Sequence, residues 1–244
     1  MKSVLLCEGS TDFALLQYFM RTVHNWNDSN LKMLQDRKKI EINRTLTKDQ
    51  RTLTIGGCGG CNKIPTAFEF ILDINRKANN SEAFNKIVIV TDRDECNTER
   101  DFINCLINSL SKYKFHLTSE LKNNSWIEVE YVNGQNRKKT CQILLLIVPF
   151  EQNGAMETFL LESITQNDPY DGTIISTGNN FVDSIDPEKR YLSKRRYITK
   201  AKFDVYFSIR TAVDQFQQRQ DILKNIKWEE YQNIQDCFKL LKDI

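Results

Sequence analysis

Two carboxylates one residue apart, Asp92 and Asp94, follow an unbroken β-branched run, Ile87-Val88-Ile89-Val90. A strand covered on one face would alternate, so this run reads as a central parallel strand buried on both faces. Open α/β sheets place their ligands at the carboxyl ends of such strands, where these two acids fall. Carboxylates held so close repel each other, and a cation is the usual reason to keep them together. Hard oxygen ligands of this kind suit Mg²⁺ or Mn²⁺. The competing reading is an Asx-type turn with both acids solvated.

The amino terminus repeats the pattern. The apolar run Ser3-Val4-Leu5-Leu6-Cys7 ends in Glu8-Gly9-Ser10-Thr11-Asp12, ahead of a helical pattern of Phe13, Leu15, Leu16, Phe19, Met20 and Val23. Gly9 permits a tight strand-to-helix turn, and Ser10 or Thr11 can cap the helix. Asp12 falls in its first turn, where the helix dipole favours negative charge. A fifth carboxylate, Glu157, opens another helix through Phe159, Leu160, Leu161 and Ile164. By itself it reads as a first-turn acid satisfying the dipole.

Together, Glu8-Gly-x-x-Asp12 after one strand and Asp92-x-Asp94 after another resemble the Toprim domain of primases, topoisomerases and OLD-type nucleases. The resemblance covers mainly residues 1 to 165. The broader family often writes its second motif Asp-x-Asp-x-Glu, whereas here Cys96 stands two positions after Asp94 and Glu95 is displaced by one. The segment Ile147-Val-Pro-Phe-Glu-Gln-Asn-Gly-Ala-Met-Glu157 looks like the Pro then Gly-x-x-Glu element of small OLD-related Toprim proteins, and Glu157 would then replace the missing glutamate. The resemblance implies a metal site of Glu8, Asp12, Asp92, Asp94 and Glu157 holding Mg²⁺ or Mn²⁺. It also implies a separate ATPase partner chain and a role in defence against mobile elements. No ATPase motif is present in this sequence.

The elements that must position these acids are legible in outline. Gly56-Gly57-Cys58-Gly59-Gly60-Cys61 follows a strand at Thr52–Ile55 and reads as a close-approach turn beside the acidic site, with a helix opening at Pro65. It lacks the Lys-Ser/Thr ending of a P-loop. Cys58-x-x-Cys61 has no second pair, and the chain holds only His24 and His116, which argues against structural zinc. Asn97 or Thr98 can cap a helix carrying Phe102, Ile103, Leu106, Ile107 and Leu110. Residues 126–132 alternate and residues 140–148 form an apolar run, which predicts a hairpin with Arg137, Lys138 and Lys139 at its tip.

Residues 24–52 read as a loop or short edge strand, and residues 166–187, rich in Asn, Asp, Gly, Ser and Thr, as an irregular excursion. Between Lys189 and Lys202 stand seven basic residues and no acidic one: Lys189, Arg190, Lys194, Arg195, Arg196, Lys200 and Lys202. With Tyr191 and Tyr197 beside them, they are candidates for phosphate contacts, against the alternative of a solvated surface. Two helices, from about 200 to 223 and from 228 to 241, close the chain.

At 244 residues the chain can bury a sizeable core. A formal charge of +2 identifies no partner, since an acidic site can hide a basic face in a neutral total. Seven cysteines scattered among apolar runs, with no signal-peptide pattern and no membrane-length segment, predict a reducing cytoplasm.

The sequence therefore predicts an α/β protein: a Toprim-like, mostly parallel sheet flanked by helices at 1–165, and a basic segment with helices packing on it at 166–244. The expected function is metal-dependent nuclease activity on DNA or RNA. The acids would hold the metal, and Lys200 or Lys202 would face charge developing on phosphorus. The rival expectation is a non-catalytic module that binds Mg²⁺ with nucleotide or nucleic acid, or docks to an ATPase partner. Self-association is left open by the sequence.

Overall fold

Val4 and Leu6 enter one apolar core and Leu5 and Cys7 another, and Ile87, Ile89 and Val88, Val90 divide in the same way. This two-sided burial is why both runs lack alternation. The computed structural model describes every residue except 32–33, 35–37, 79–81, 95–96 and 215–218.

In its first half the chain forms β1 (Lys2–Cys7), α1 (Ser10–Thr22), β2 (Asn27–Ser29), β3 (Ile42–Lys48), β4 (Arg51–Gly57), α2 (Ile64–Lys77), β5 (Lys86–Asp92) and α3 (Thr98–Lys112). There follow β6 (His116–Leu117), β7 (Ser125–Val132), β8 (Lys138–Val148), α4 (Met156–Asn167), α5 (Pro169–Ile185), α6 (Arg195–Arg210), α7 (Arg219–Lys224) and α8 (Gln232–Phe238). The sheet runs β2-β3-β4-β1-β5-β8-β7-β6. Its central strands β4, β1, β5 and β8 are parallel, and antiparallel strands extend both edges. The predicted hairpin is β7–β8, and β7 alternates in burial because it lies near the edge.

Helices cover both faces. α2 and α3 pack on one, while α1 and α4 through α8 share the other core with β1, β5 and β8. The carboxyl-terminal helices therefore complete the layer over the sheet.

Three expectations about this region need correction. Residues 169–185 form α5: Pro169 stands in its first turn, Asp168 accepts a hydrogen bond from the Tyr170 N–H at 2.8 Å, and Ile175, Gly178 and Val182 supply the buried stripe. Packing overrode the polar composition, as it commonly does. α6 begins at Arg195 and ends at Arg210, shorter than a helix to residue 223. The apolar spacing at 228–241 is carried by a 3₁₀ turn at Trp228–Glu230, by α8 and by a 3₁₀ segment at Lys239–Asp243, with extended backbone at Tyr231. The expected stripe still docks: Trp228, Tyr231, Ile234, Phe238 and Leu241 are all buried.

Trp228 is fully buried, and its indole N–H donates to the Leu223 carbonyl at 2.7 Å. Trp228→Ala should cost about 3–5 kcal/mol and leave a single unfolding transition in urea. A separate early transition would instead mark the carboxyl-terminal helices as an independent unit.

Candidate functional site

Glu8 leaves the end of β1 between β4 and β5, and its position is fixed from the strand beside it. Its Oε1 accepts hydrogen bonds from the Thr91 hydroxyl at 2.5 Å and the Asp92 N–H at 2.9 Å. Asp92, at the end of β5, accepts from the Met156 N–H at 2.9 Å, so the amino terminus of α4 holds that carboxylate. The Thr11 hydroxyl on α1 donates to Glu157 Oε1 at 3.2 Å. These bonds tie two strand ends and two helix starts into one acidic floor.

The turn after β1 differs from expectation. Neither Ser10 nor Thr11 caps α1; Gly9 is the cap residue, in extended conformation, and the Asp12 carboxylate accepts the Gly9 N–H at 2.9 Å. Asp12 thus stays inside, 6% exposed, as does Glu157 at 6%. The glycine-rich turn approaches closely, as expected: the N–H groups of Gly59 and Gly60 donate to the Glu8 carbonyl at 2.7 and 2.9 Å. Gly59 and Gly60 have φ of +84° and +134°, and a Cβ on Gly59 would lie 2.2 Å from the Glu41 carboxyl. The left-handed backbone at both positions disfavours any side chain there.

Arg93 separates the two aspartates by turning the other way. It is buried; its Nε–H donates to the Pro149 carbonyl at 2.8 Å, and its guanidinium pairs with Glu99. Its backbone also pairs with Val148 and Gly154. Asp92 and Asp94 are thereby left facing one cavity of about 680 Å³.

That cavity collects Glu8, Asp12, Asp92, Asp94 and Glu157, with Arg195, Arg196, Thr199 and Lys200 of α6 lining it as well. No acidic residue occupies the first turn of α6 and no side chain caps it. Basic residues at a helix amino terminus oppose its dipole, and an anion there relieves both.

The electrostatics describe a site short of positive charge. Burial, and next the charge of Asp12, push the Asp92 carboxyl well above its ordinary range. Burial and Glu8 push Asp12 up to about 7, against the lowering effect of the Gly9 N–H. Glu8 is raised by burial and by Asp94 and Glu157, although the Thr91 and Asp92 donors lower it. Cys7 and Cys58 are buried beside the acids, and burial raises both thiols, Cys58 to about 12. The donors that dominate the cavity lining are carboxylate oxygens, which fit a hard divalent cation. Among the described residues, no three of these side chains already form a closed metal cage.

The basic stretch divides. Lys202 pairs with Asp183 at 2.8 Å and lines a neighbouring cavity, so Lys200, not Lys202, faces the acids. Lys189, Arg190 and Lys194 precede α6 on an exposed loop that folds onto Asp186, whose carboxylate accepts the N–H groups of Arg190, Tyr191 and Leu192. Those donors hold Asp186 below its usual range. Glu95 and Cys96 lie outside the described residues. Sequence reasoning missed Thr91, Arg93 and Thr199, and gave Thr11 a capping role in place of its bond to Glu157. Each acts through a partner distant in the chain or through a cavity wall, and carries no motif of its own.

Fold and site together define an α/β protein with an acidic cleft at the carboxyl edge of its parallel strands and a basic helix start beside it. The chain matches, over residues 2–243, the family described as protein of unknown function DUF3226, and it belongs to that family. No curated protein matches it. Among solved structures, the hypothetical protein PH0156 from Pyrococcus horikoshii OT3 is similar at 15% identity and a TM-score of 0.50, with 99% of this chain and 98% of that chain covered. That likeness concerns the fold. No helix among the described residues is long and apolar enough to cross a membrane.

The raised acids make stability depend on pH. Asp12 carries a folded value of about 7 against 3.8 for its ordinary carboxyl. Between those values the folded chain binds a proton that the unfolded chain has lost, so stability declines as pH rises through the window. In EDTA the melting temperature should fall from about pH 5 to about pH 8, and Asp12→Asn, which keeps an acceptor for Gly9, should flatten the fall. A melting temperature that climbs over this range would contradict the assignment.

Proposed function

We propose that this protein is a divalent-metal-dependent nuclease acting on DNA or RNA, as its resemblance to Toprim proteins of the OLD-related branch implies. The observation that carries the reading is one cavity in which five carboxylates meet Arg195, Arg196 and Lys200. A phosphodiester bound with a cation needs both kinds of group.

Glu8, Asp92 and Asp94 would hold Mg²⁺ or Mn²⁺, with Asp12 and Glu157 completing the oxygen set. Such an ion supplies Lewis acidity to a phosphoryl oxygen and a more acidic bound water. The chain's own part is arrangement. Thr91 and the Asp92 N–H fix Glu8, the start of α4 fixes Asp92, and Thr11 fixes Glu157. Lys200 and Arg195 would neutralise the non-bridging oxygens as charge develops, and Arg196 would hold a flanking phosphate. Lys202 is left out of this role by its pairing with Asp183. An ATPase partner chain and a role in defence against mobile elements belong to the same proposal through the family resemblance alone.

One observation favours a second reading, a module that binds Mg²⁺ with a nucleotide or nucleic-acid end without cutting it: the carboxylates are engaged with the chain and do not pre-form a cage. Cleavage separates the two. Plasmid, single-stranded DNA and tRNA incubated with Mg²⁺ or Mn²⁺ should be cut by the wild type and left intact by Glu8→Ala. Glu157→Gln should lower the rate by at least about tenfold, or about 1.4 kcal/mol of transition-state stabilisation. Wild-type protein that binds these substrates yet leaves them all uncut with either metal would favour the binding module.

A further inference from the structure

A second cavity, of about 690 Å³, opens between α4, α5 and α6 and shares Arg195 and Thr199 with the acidic one. One stretch of α6 thus forms part of the wall of both. A phosphate lying against Arg195 would therefore border this second cavity as well.

The lining of the two cavities differs in kind. The second presents uncharged hydrogen-bonding groups, Asn153, Ser176, Asn179 and Asn180, above apolar surface from Leu161, Ile175 and Ile198. Asn153, Ser176 and Asn180 are exposed and Asn179 is half-buried, so all four are accessible from this cavity. Its charges cancel: Glu162 and Asp183 stand against Arg195 and Lys202, and Lys202 is already paired with Asp183. A phosphate chain would find no net attraction there.

A neutral, flat group with donors and acceptors around its edge and apolar faces matches this lining. Nucleobases have that character, and side-chain amides read base edges by paired hydrogen bonds. A base inside a duplex is stacked and paired, so only an unpaired or extruded base could enter.

We propose that the cavity between α4, α5 and α6 is a nucleobase subsite, which takes the base adjoining the phosphate held at Arg195 and so selects single-stranded, looped or flipped-out nucleic acid. This inference rests on the proposed placement of the phosphate and deepens that reading.

Its test is equilibrium binding, with no turnover required. The probes are the four ribonucleoside 5′-monophosphates and ribose 5-phosphate, which carries the same phosphate and sugar without a base. Titrated calorimetrically into the wild-type protein with Mg²⁺, at least one nucleotide should bind about tenfold tighter than ribose 5-phosphate. The double variant Asn179→Ala/Asn180→Ala, with both changes on a helix that tolerates alanine, should bring that nucleotide's affinity down to the level of ribose 5-phosphate. Equal binding of all five probes, no nucleotide binding at millimolar concentration, or a base-dependent gain that survives in the double variant would each overturn the proposal. A base-dependent gain in a protein that cuts nothing would uphold the subsite and count against the nuclease reading, so the two can fail separately.

Discussion

Carboxylates gathered at the carboxyl ends of β1 and β5 repel one another, and much of the surrounding structure serves to hold them together. Asp12 and Glu157 are nearly buried, and burial is the largest influence raising Glu8, Asp12 and Asp92. Without a cation the protein answers this repulsion with protons and with donors from its own chain: Thr91, Thr11, Gly9 and the start of α4. Those donors lower the acids without cancelling the effect of desolvation. A cluster in this state loses stability as pH rises toward neutrality.

The two-sided sheet and the two helix starts at its edge together hold the cluster. Because β1 and β5 are adjacent and parallel, Glu8 and Asp92 emerge at the same edge. The short return from β8 through Gly154 to α4 brings Glu157 to that edge and lays a helix start against Asp92. Arg93, buried and bonded to Pro149 and Glu99, acts as the spacer that keeps its two neighbours on the cavity side. α5 and α6 then close the region from the carboxyl-terminal half, which shares its core with α1 and α4.

The floor of the site was legible in the sequence because its signals are local. Unbroken apolar runs ending in acids announce buried parallel strands, and the glycine-rich turn announces a close approach, which Gly59 and Gly60 make to the Glu8 carbonyl. What the sequence hid is non-local or compositional. The polar residues of α5 masked a helix whose start, Asp168-Pro169, was the available signal. The run of cations at 189–202 gave no means of telling Lys200 from Lys202; their difference arises from helix rotation and from Asp183, a residue in the segment expected to be irregular. The spacing of Trp228, Tyr231, Ile234, Phe238 and Leu241 identified a docking face correctly while concealing the break at Tyr231.

The central claim is that this acidic cluster exists for a divalent cation, and Mn²⁺-dependent thermal stability tests it most directly. In EDTA near pH 8, Glu8→Gln and Asp92→Asn, which keep their hydrogen-bond acceptors, should melt at or above the wild-type temperature because each removes a repelling charge. Millimolar Mn²⁺ should raise the wild-type melting temperature, since a ligand bound only by the folded state adds about 2.7 kcal/mol at a concentration a hundredfold above its Kd. The two variants should lose that increment. Variants that melt well below wild type in EDTA, and a wild-type melting temperature indifferent to Mn²⁺, would contradict the account and return these acids to a structural role.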